Sequence, residues 1–335
     1  MRTLLPTASL GLAAALTLTG CGAQVTSDDR TTPSQAVTIT NCGKKVTYDR
    51  RPERVVTNDV GITELMFALG LEDHMAGYVM PADKGSTDHL PYKDAYNKVK
   101  WLSKDRVTQE LALDARADLV FAGWNYGFNE NTLTPDQLHK AGIGTYLLTE
   151  SCRNAGTGTS RGIMPPLDAL YTDLENLGRI FGVEKRARKL VERYKATVAG
   201  VRAKTPEGGK RPSVFLYDSG QDQPFTSGRF GAPDQIISEA GGVNLVHDLK
   251  DSWTTVGWET VVKRNPDVIV INDYGSTSAA QKKEFLLSYR PLRNVSAIKH
   301  QRIFTLDYAD LVESPRNPSA IERLGAYLRD GGDAS

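Results

Sequence analysis

WETVVKRNPDVIVIND, residues 258–273, repeats the plan of TQELALDARADLVFAG, residues 108–123. In each a Glu opens a short helical pattern, Glu110 and Glu259, and the two lie 149 positions apart. Eight residues on comes an Asp, Asp118 or Asp267. Each Asp launches an apolar run, Leu119-Val120-Phe121-Ala122 or Val268-Ile269-Val270-Ile271. Short apolar runs bounded by turn residues read as buried parallel strands. A helix feeding such a strand, twice, predicts two α/β lobes of one design.

Around each phrase, strand and helix patterns alternate. VTITNCGKKVTY has alternating residues around a central Gly and reads as a β-hairpin. RVVTND, HMAGYV and IGTYLLT read as strands. GITELMFALG has apolar residues at 62, 65, 66 and 69, the helical period, and Gly70 closes it. TPDQLHKAG is a helix with Thr134 as N-cap and Pro135 at its first position. In the second half SVFLYDSG and RIFTLDY are strands, and APDQIISEAGG, AAQKKEFLLSYRPL and NPSAIERLGAYLRD are helices. Residues 167–204 are helical throughout. Gly182 divides them, and residues 183–204 make one helix roughly 33 Å long with an apolar stripe at Leu190, Tyr194, Val198 and Val201. The expected fold is α/β: two doubly wound lobes joined by one long interlobe helix. The N-terminal lobe is placed at 37–165, the helical segment at 166–205 and the C-terminal lobe at 206–330.

Residues 1–21 read as a secretory signal: Arg2, then an apolar stretch too short for a membrane span. The stretch ends in LTGC, which resembles the bacterial lipobox, so Cys21 is expected to carry lipid. Residues 22–36 are a polar tether. The protein is expected to be extracytoplasmic, lipid-anchored to the outer face of the cell membrane. In that oxidising compartment a disulfide between Cys42 and Cys152 is favoured over two free thiols. With 41 basic and 40 acidic residues and a net charge of +1, no basic stripe supports nucleic-acid binding.

Catalysis has little support. The five His are scattered, no metal signature or Gly-x-Ser-x-Gly elbow appears, and GTGTSRG lacks the ending of a phosphate loop. No cofactor is expected. Aromatics instead recur where strands end: Tyr78, Trp101, Trp124, Tyr126, Phe128, Phe225, Trp253, Tyr274 and Tyr308. Ligands of open α/β sheets sit outside the carboxyl ends of strands. Two facing lobes would then make an aromatic cleft for a large, flat or partly apolar ligand. Arg316, at a helix start between two prolines, is a candidate ligand-facing cation.

These stretches resemble the periplasmic-binding-protein class that serves ABC importers of ferric siderophores and cobalamin. The resemblance runs from Val37 to Arg329, carried by RPERVVTNDVGITELMFALGLEDHMAGY, QPFTSGRFGAPDQIISEAGGVNL, VESPRNP and the repeated phrase. It implies two lobes on one long helix, a metal chelate such as a ferric siderophore as ligand, and an ABC permease dimer as partner. It also implies a docking role for Glu110 and Glu259, which would meet Arg residues of the permease. Cobalamin binders of the class are similar at Tyr78, Trp101, Phe225 and Arg316, and more loosely at Trp124 and Trp253. The segments 79–100 and 151–166 are longer than the class pattern. A monomer is expected. A free-metal receptor, an enzyme and an adhesion lipoprotein are the rival readings.

Overall fold

The computed structural model describes residues 36–81, 91–153, 161–205 and 208–331, without the side chains of Asn125 and Tyr126. The signal segment, Cys21, nearly all of the tether and the Tyr126 side chain lie outside that set.

Asp118 and Asp267 explain half of the repeated phrase. Each carboxylate holds the first backbone N–H groups of the strand beside its own. Asp118 accepts from Glu53 N at 2.8 Å and Arg54 N at 2.9 Å, where β3 (Val55–Asn58) begins. Asp267 accepts from Ser213 N at 2.9 Å at the start of β8 (Ser213–Tyr217). The two strands that follow the Asp, β6 (Leu119–Ala122) and β12 (Val268–Asp273), pair in parallel with β3 and β8. Each is fed by a short helix, Gln109–Asp114 or Trp258–Arg264, and each helix exits through a left-handed residue, Arg116 at φ 50° or Asn265 at φ 48°.

The first sheet also has β4 (Met75–Val79), β5 (Trp101–Ser103) and β7 (Gly144–Leu147), in the order β5-β4-β3-β6-β7. The second adds β10 (Val243–Asn244) and β13 (Ile303–Asp307), in the order β10-β8-β12-β13. Both sheets are parallel throughout. The order runs outward in both directions from the first strand, as in doubly wound folds. A hairpin of β1 (Val37–Asn41) and β2 (Lys44–Tyr48) turns through Cys42 and Gly43, both at positive φ as a two-residue turn requires. Asn41 fastens it to the end of β7, exchanging two hydrogen bonds with the Leu147 backbone at 2.8 and 3.1 Å. Cys42 and Cys152 form a disulfide with Cα atoms 5.3 Å apart. The bond joins residues 110 positions apart, and closing a loop of that length stabilises a fold by about 4–5 kcal/mol in the chain-entropy account.

The long helix spans Glu184–Ala203, about 30 Å. Arg186, near its start, donates to the Leu69 carbonyl in the first lobe. Arg202, near its end, makes a bidentate pair with Glu239 in the second. A companion helix, Pro166–Phe181, lies against it, and Gly182 at φ +69° lets the chain reverse between the two. A Cβ at Gly178 would stand 2.5 Å from Ala187 Cβ, so only glycine allows this approach. One apolar core runs unbroken from Leu65 and Phe121 through Leu174 and Leu190 to Leu216 and Ile321.

Buried polar contacts lock the lobes where the helix Val60–Ala68 meets the segment 307–317. Arg316 lies here. Contrary to the expectation of a ligand-facing cation, it is 7% exposed and makes a bidentate pair with buried Glu64 at 2.7 and 2.5 Å. Burial works against the guanidinium's charge, but Glu64's hydrogen bonds and charge outweigh it and hold Arg316 protonated. Tyr308 donates to Asp59 Oδ2 at 2.9 Å. Glu150 N–H donates to Glu313 Oε2 at 2.9 Å, and Glu313 N–H donates to Glu150 Oε2 at 2.7 Å. Asp173 completes the cluster, accepting from Tyr146 Oη and from Thr149. Glu313 and Asp173 are both buried, and burial raises the pKa of each above the ordinary carboxylate range. Burial, then the Asp173 charge, pushes Glu313 well above the usual carboxylate range. Burial pushes Glu150 from 4.5 up to about 7.

Replacing Glu64 by Ala leaves the buried guanidinium with only its 3.4 Å contact to Asp307 and should cost about 3 kcal/mol in urea unfolding, whereas a Glu64→Leu/Arg316→Met double variant should lose far less. Glu150 binds its proton more tightly when folded. Its contribution is full below pH 4.5 and is lost as pH rises through about 7, a span worth on the order of 3 kcal/mol. Glu150→Gln keeps an acceptor for Glu313 N–H and cannot ionise. Its melting temperature should fall less between pH 5 and pH 8 than that of the parent; an equal fall would assign the pH dependence elsewhere.

Candidate functional site

Between the lobes, at the carboxyl ends of both sheets, lies a cleft of about 710 Å³. The segments after β6 and β7 form one wall, and those after β8, β10, β12 and β13 form the other. Trp124, Phe225, Trp253, Tyr274 and Tyr308 line it, as does Phe128. The strand-end rule therefore brings six of the ten named candidates together.

Each aromatic has its own support. Trp124 stands two residues beyond the end of β6 at φ +55°, a left-handed conformation that is strained for a bulky residue. Gly123 makes the turn possible, since a Cβ there would stand 2.7 Å from Leu148 Cβ. The Arg153 guanidinium lies 5.6 Å from the Trp124 ring centre, and its Nη1 donates to the Glu150 carbonyl at 2.6 Å. Across the cleft, β9 (Phe225–Ser227) pairs antiparallel with β11 (Trp253–Thr255). Phe225 and Trp253 are diagonal neighbours on that ribbon and stack with centroids 5.7 Å apart and planes inclined by 21°.

Tyr274 donates to Asp218 Oδ2 at 2.6 Å, and Asn272 Nδ2 donates to Asp218 Oδ1 at 2.7 Å. Behind them sits buried Lys282, which donates to the Asn272 and Tyr274 carbonyls at 2.7 and 3.0 Å with its ammonium 4.8 Å from the Tyr274 ring centre. Burial pulls its pKa down, as expected of an ammonium surrounded mainly by carbonyls. Tyr274 packs on Tyr308 at 5.4 Å, and Tyr308 reaches across to Asp59. The cleft wall is thus continuous with the seam between the lobes.

Three expected residues are not part of the lining. Tyr78 is buried against Tyr96, ring centres 5.2 Å apart, because β4 is an inner strand whose end is covered by the 92–99 region. Trp101 is 53% exposed on edge strand β5, away from the cleft lining. Arg316 is spent on Glu64. Trp258 also lies in the core of the second lobe, donating to the Gln221 carbonyl at 2.7 Å. Sequence reasoning passed over Asp218, Arg153, Glu130 and Asp251, all of which line the cleft. Asp218 was within reach of the strand-end rule, since it directly follows β8. Arg153 had a weaker signal, its place beside Cys152. The other two had none.

Among the described residues, no group of His, Cys, Asp or Glu is arranged to hold a metal ion, and no helix is long and apolar enough to cross a membrane.

Residues 55–309 match the sequence family described as periplasmic binding protein. The ABC transporter substrate-binding lipoprotein YvrC of Bacillus subtilis is 27% identical over 95% of this chain and 94% of its own. The vitamin B12-binding protein of Yersinia pestis is 24% identical over 66% of this chain and 69% of its own. A solved structure from the Fe3+-hydroxamate transport system of Saccharomonospora viridis superposes with a TM-score of 0.71 at 21% identity, covering 89% of this chain and 99% of that one. The chain belongs to the periplasmic binding protein family, a class of binding proteins rather than of catalysts.

Proposed function

We propose that the protein captures a ferric siderophore or a chelate of similar size in the interlobe cleft and delivers it to an ABC permease dimer, while lipid on Cys21 anchors it to the outer face of the cell membrane. The observation that carries this reading is the cleft itself, where aromatics from both lobes enclose about 710 Å³. That volume suits a cofactor-sized, partly apolar ligand. A corrinoid is the second reading, favoured by the likeness to a vitamin B12-binding protein. The anchor is supported by the lipobox-like LTGC and by the lipoprotein among the relatives.

The delivery step rests on the second half of the repeated phrase. Glu110 and Glu259 are exposed, and each is the second residue of its helix. Three residues on, each helix exposes an apolar side chain, Leu113 at 48% and Val262 at 38%. The helices precede β6 and β12, so their N-termini lie at the sheet edges that carry the cleft. One carboxylate and one apolar residue, presented twice in equivalent places, suit a partner made of two like subunits.

Two of the four Trp residues line the cleft, so saturable quenching of the purified protein is expected with ferric trihydroxamate or cobalamin, after inner-filter correction. Trp253→Ala should weaken binding about tenfold through loss of a stacked anchor, and Trp101→Phe should leave it unchanged. Undiminished affinity in Trp253→Ala would remove the cleft from the binding reading. For delivery, Glu110→Ala/Glu259→Ala should keep ligand affinity while uptake into cells falls at least about tenfold, and each single variant should lie between. Normal uptake in the double variant would leave these carboxylates as helix-end charges alone.

A further inference from the structure

A second cavity, of about 440 Å³, shares no lining residue with the cleft. It lies between the segment that leads into the helix Pro166–Phe181 and the loop that leads into the helix Ala232–Glu239. Both walls are braced. The Arg229 and Phe230 N–H groups donate to the Leu249 and Asp251 carbonyls, each at 3.0 Å. Leu167 N–H donates to Gln235 Oε1 at 2.9 Å and so fastens the start of one helix to the other. Two guanidiniums from different segments converge on one ring of this cavity. Arg161 lies 5.7 Å and Arg229 5.9 Å from the centre of Phe230. Both arginines are exposed, and among the described residues neither pairs with a carboxylate. The two carboxylates of the lining are already committed. Glu239 is held by its bidentate pair with Arg202, and Asp234 accepts from Asn244 Nδ2 at 2.9 Å and is hydrogen-bonded to His247 Nδ1 at 2.9 Å. Their side chains are 11% and 10% exposed. The accessible charge at the cavity is therefore that of the two guanidiniums, while Ile163, Met164 and Pro166 extend the apolar surface of Phe230. Like charges gathered on one ring repel each other, and each planar guanidinium is a fork for a carboxylate or a phosphate.

We propose that this cavity is a second binding site, for a small organic anion with a phosphate or carboxylate head and an apolar body. The head meets Arg161 and Arg229, and the body lies against Phe230 and Met164. The volume falls in the range of small-molecule sites. A bare inorganic anion would gain the charge-assisted hydrogen bonds and leave the apolar wall uncovered. A neutral molecule with the same body would cover the wall and leave the guanidiniums unanswered. The site therefore selects for both parts on one molecule. It does so whatever the interlobe cleft carries.

The test is calorimetric titration of the full chain in detergent with phenyl phosphate, inorganic phosphate and benzyl alcohol. The expected result is saturable binding of phenyl phosphate, with inorganic phosphate at least about tenfold weaker and benzyl alcohol giving no saturable heat. Added salt should weaken the phenyl phosphate complex. Arg161→Gln/Arg229→Gln changes two exposed side chains, so the melting temperature should stay as in the parent while affinity for phenyl phosphate falls at least about tenfold. Phe230→Leu should weaken phenyl phosphate and leave inorganic phosphate as it was. A double arginine variant that binds phenyl phosphate as tightly as the parent would place the anion elsewhere and overturn the proposal. Inorganic phosphate binding as tightly as phenyl phosphate would overturn it by removing the apolar half of the site. No saturation at millimolar phenyl phosphate would leave the two guanidiniums as solvated surface charges and the proposal refuted.

Discussion

At the centre of the molecule Gly61 passes so close to the Glu313 carbonyl that a Cβ there would stand 2.5 Å from the oxygen. That approach brings the first turn of one lobe's helix onto the backbone of the other lobe. The neighbouring contacts depend on it. Arg316 reaches Glu64, Tyr308 reaches Asp59, and Glu150 and Glu313 exchange backbone donors only with the two segments in register. All are buried, so separating the lobes here would strand charges and donors without water to replace their partners. The cleft opens beside this seam, and its shape is largely set before any ligand arrives. A pivot of this kind, with a 20-residue helix bridging the lobes, allows a modest hinge rather than a wide swing.

On the proposed reading, the repeated phrase serves two ends with one piece of local structure. Its Asp holds the start of the neighbouring strand, a task internal to each lobe. Its Glu is exposed in the first turn of the helix, a place the helix dipole already favours for a carboxylate. The first role accounts for the repetition of the Asp, since each parallel sheet needs its central strands in register. It does not account for the exposed Glu, nor for the apolar residue three positions later. Those make physical sense as a surface offered twice to a partner with its own repetition.

The fold was legible because helix and strand periods are local. The hairpin, the alternation and the long helix all follow from spacing along the chain. Of the cleft, the aromatics directly after strands were legible, because strand direction alone sends such loops to one edge. What failed were residues whose fate depends on a distant partner. Arg316 looks free in sequence and is claimed by Glu64, 252 residues away. Trp101 sits at a sheet edge that the sequence does not locate, and Tyr78 is covered by an element whose packing is tertiary. Asp218 and Lys282 were invisible as a pair for the same reason: they meet only through Tyr274 and Asn272, between two strands and a helix that sequence spacing cannot dock.

The polar framework behind the cleft wall has a consequence for recognition. Lys282 and Asp218 are both buried, and both are used to hold Tyr274 from behind rather than to touch solvent. Burying such groups costs stability, and an apolar filling would cost less. What the arrangement supplies is position. Tyr274 cannot rotate without breaking its bond to Asp218, and Tyr308 cannot move without breaking its bond to Asp59 in the other lobe. A ligand meeting fixed rings forgoes the entropy loss of ordering them, so affinity depends on fit. The same rigidity makes release difficult by local fluctuation alone. Release then calls for a force applied to both lobes at once, and a carboxylate near the cleft-bearing edge of each sheet is where a twofold partner could apply it.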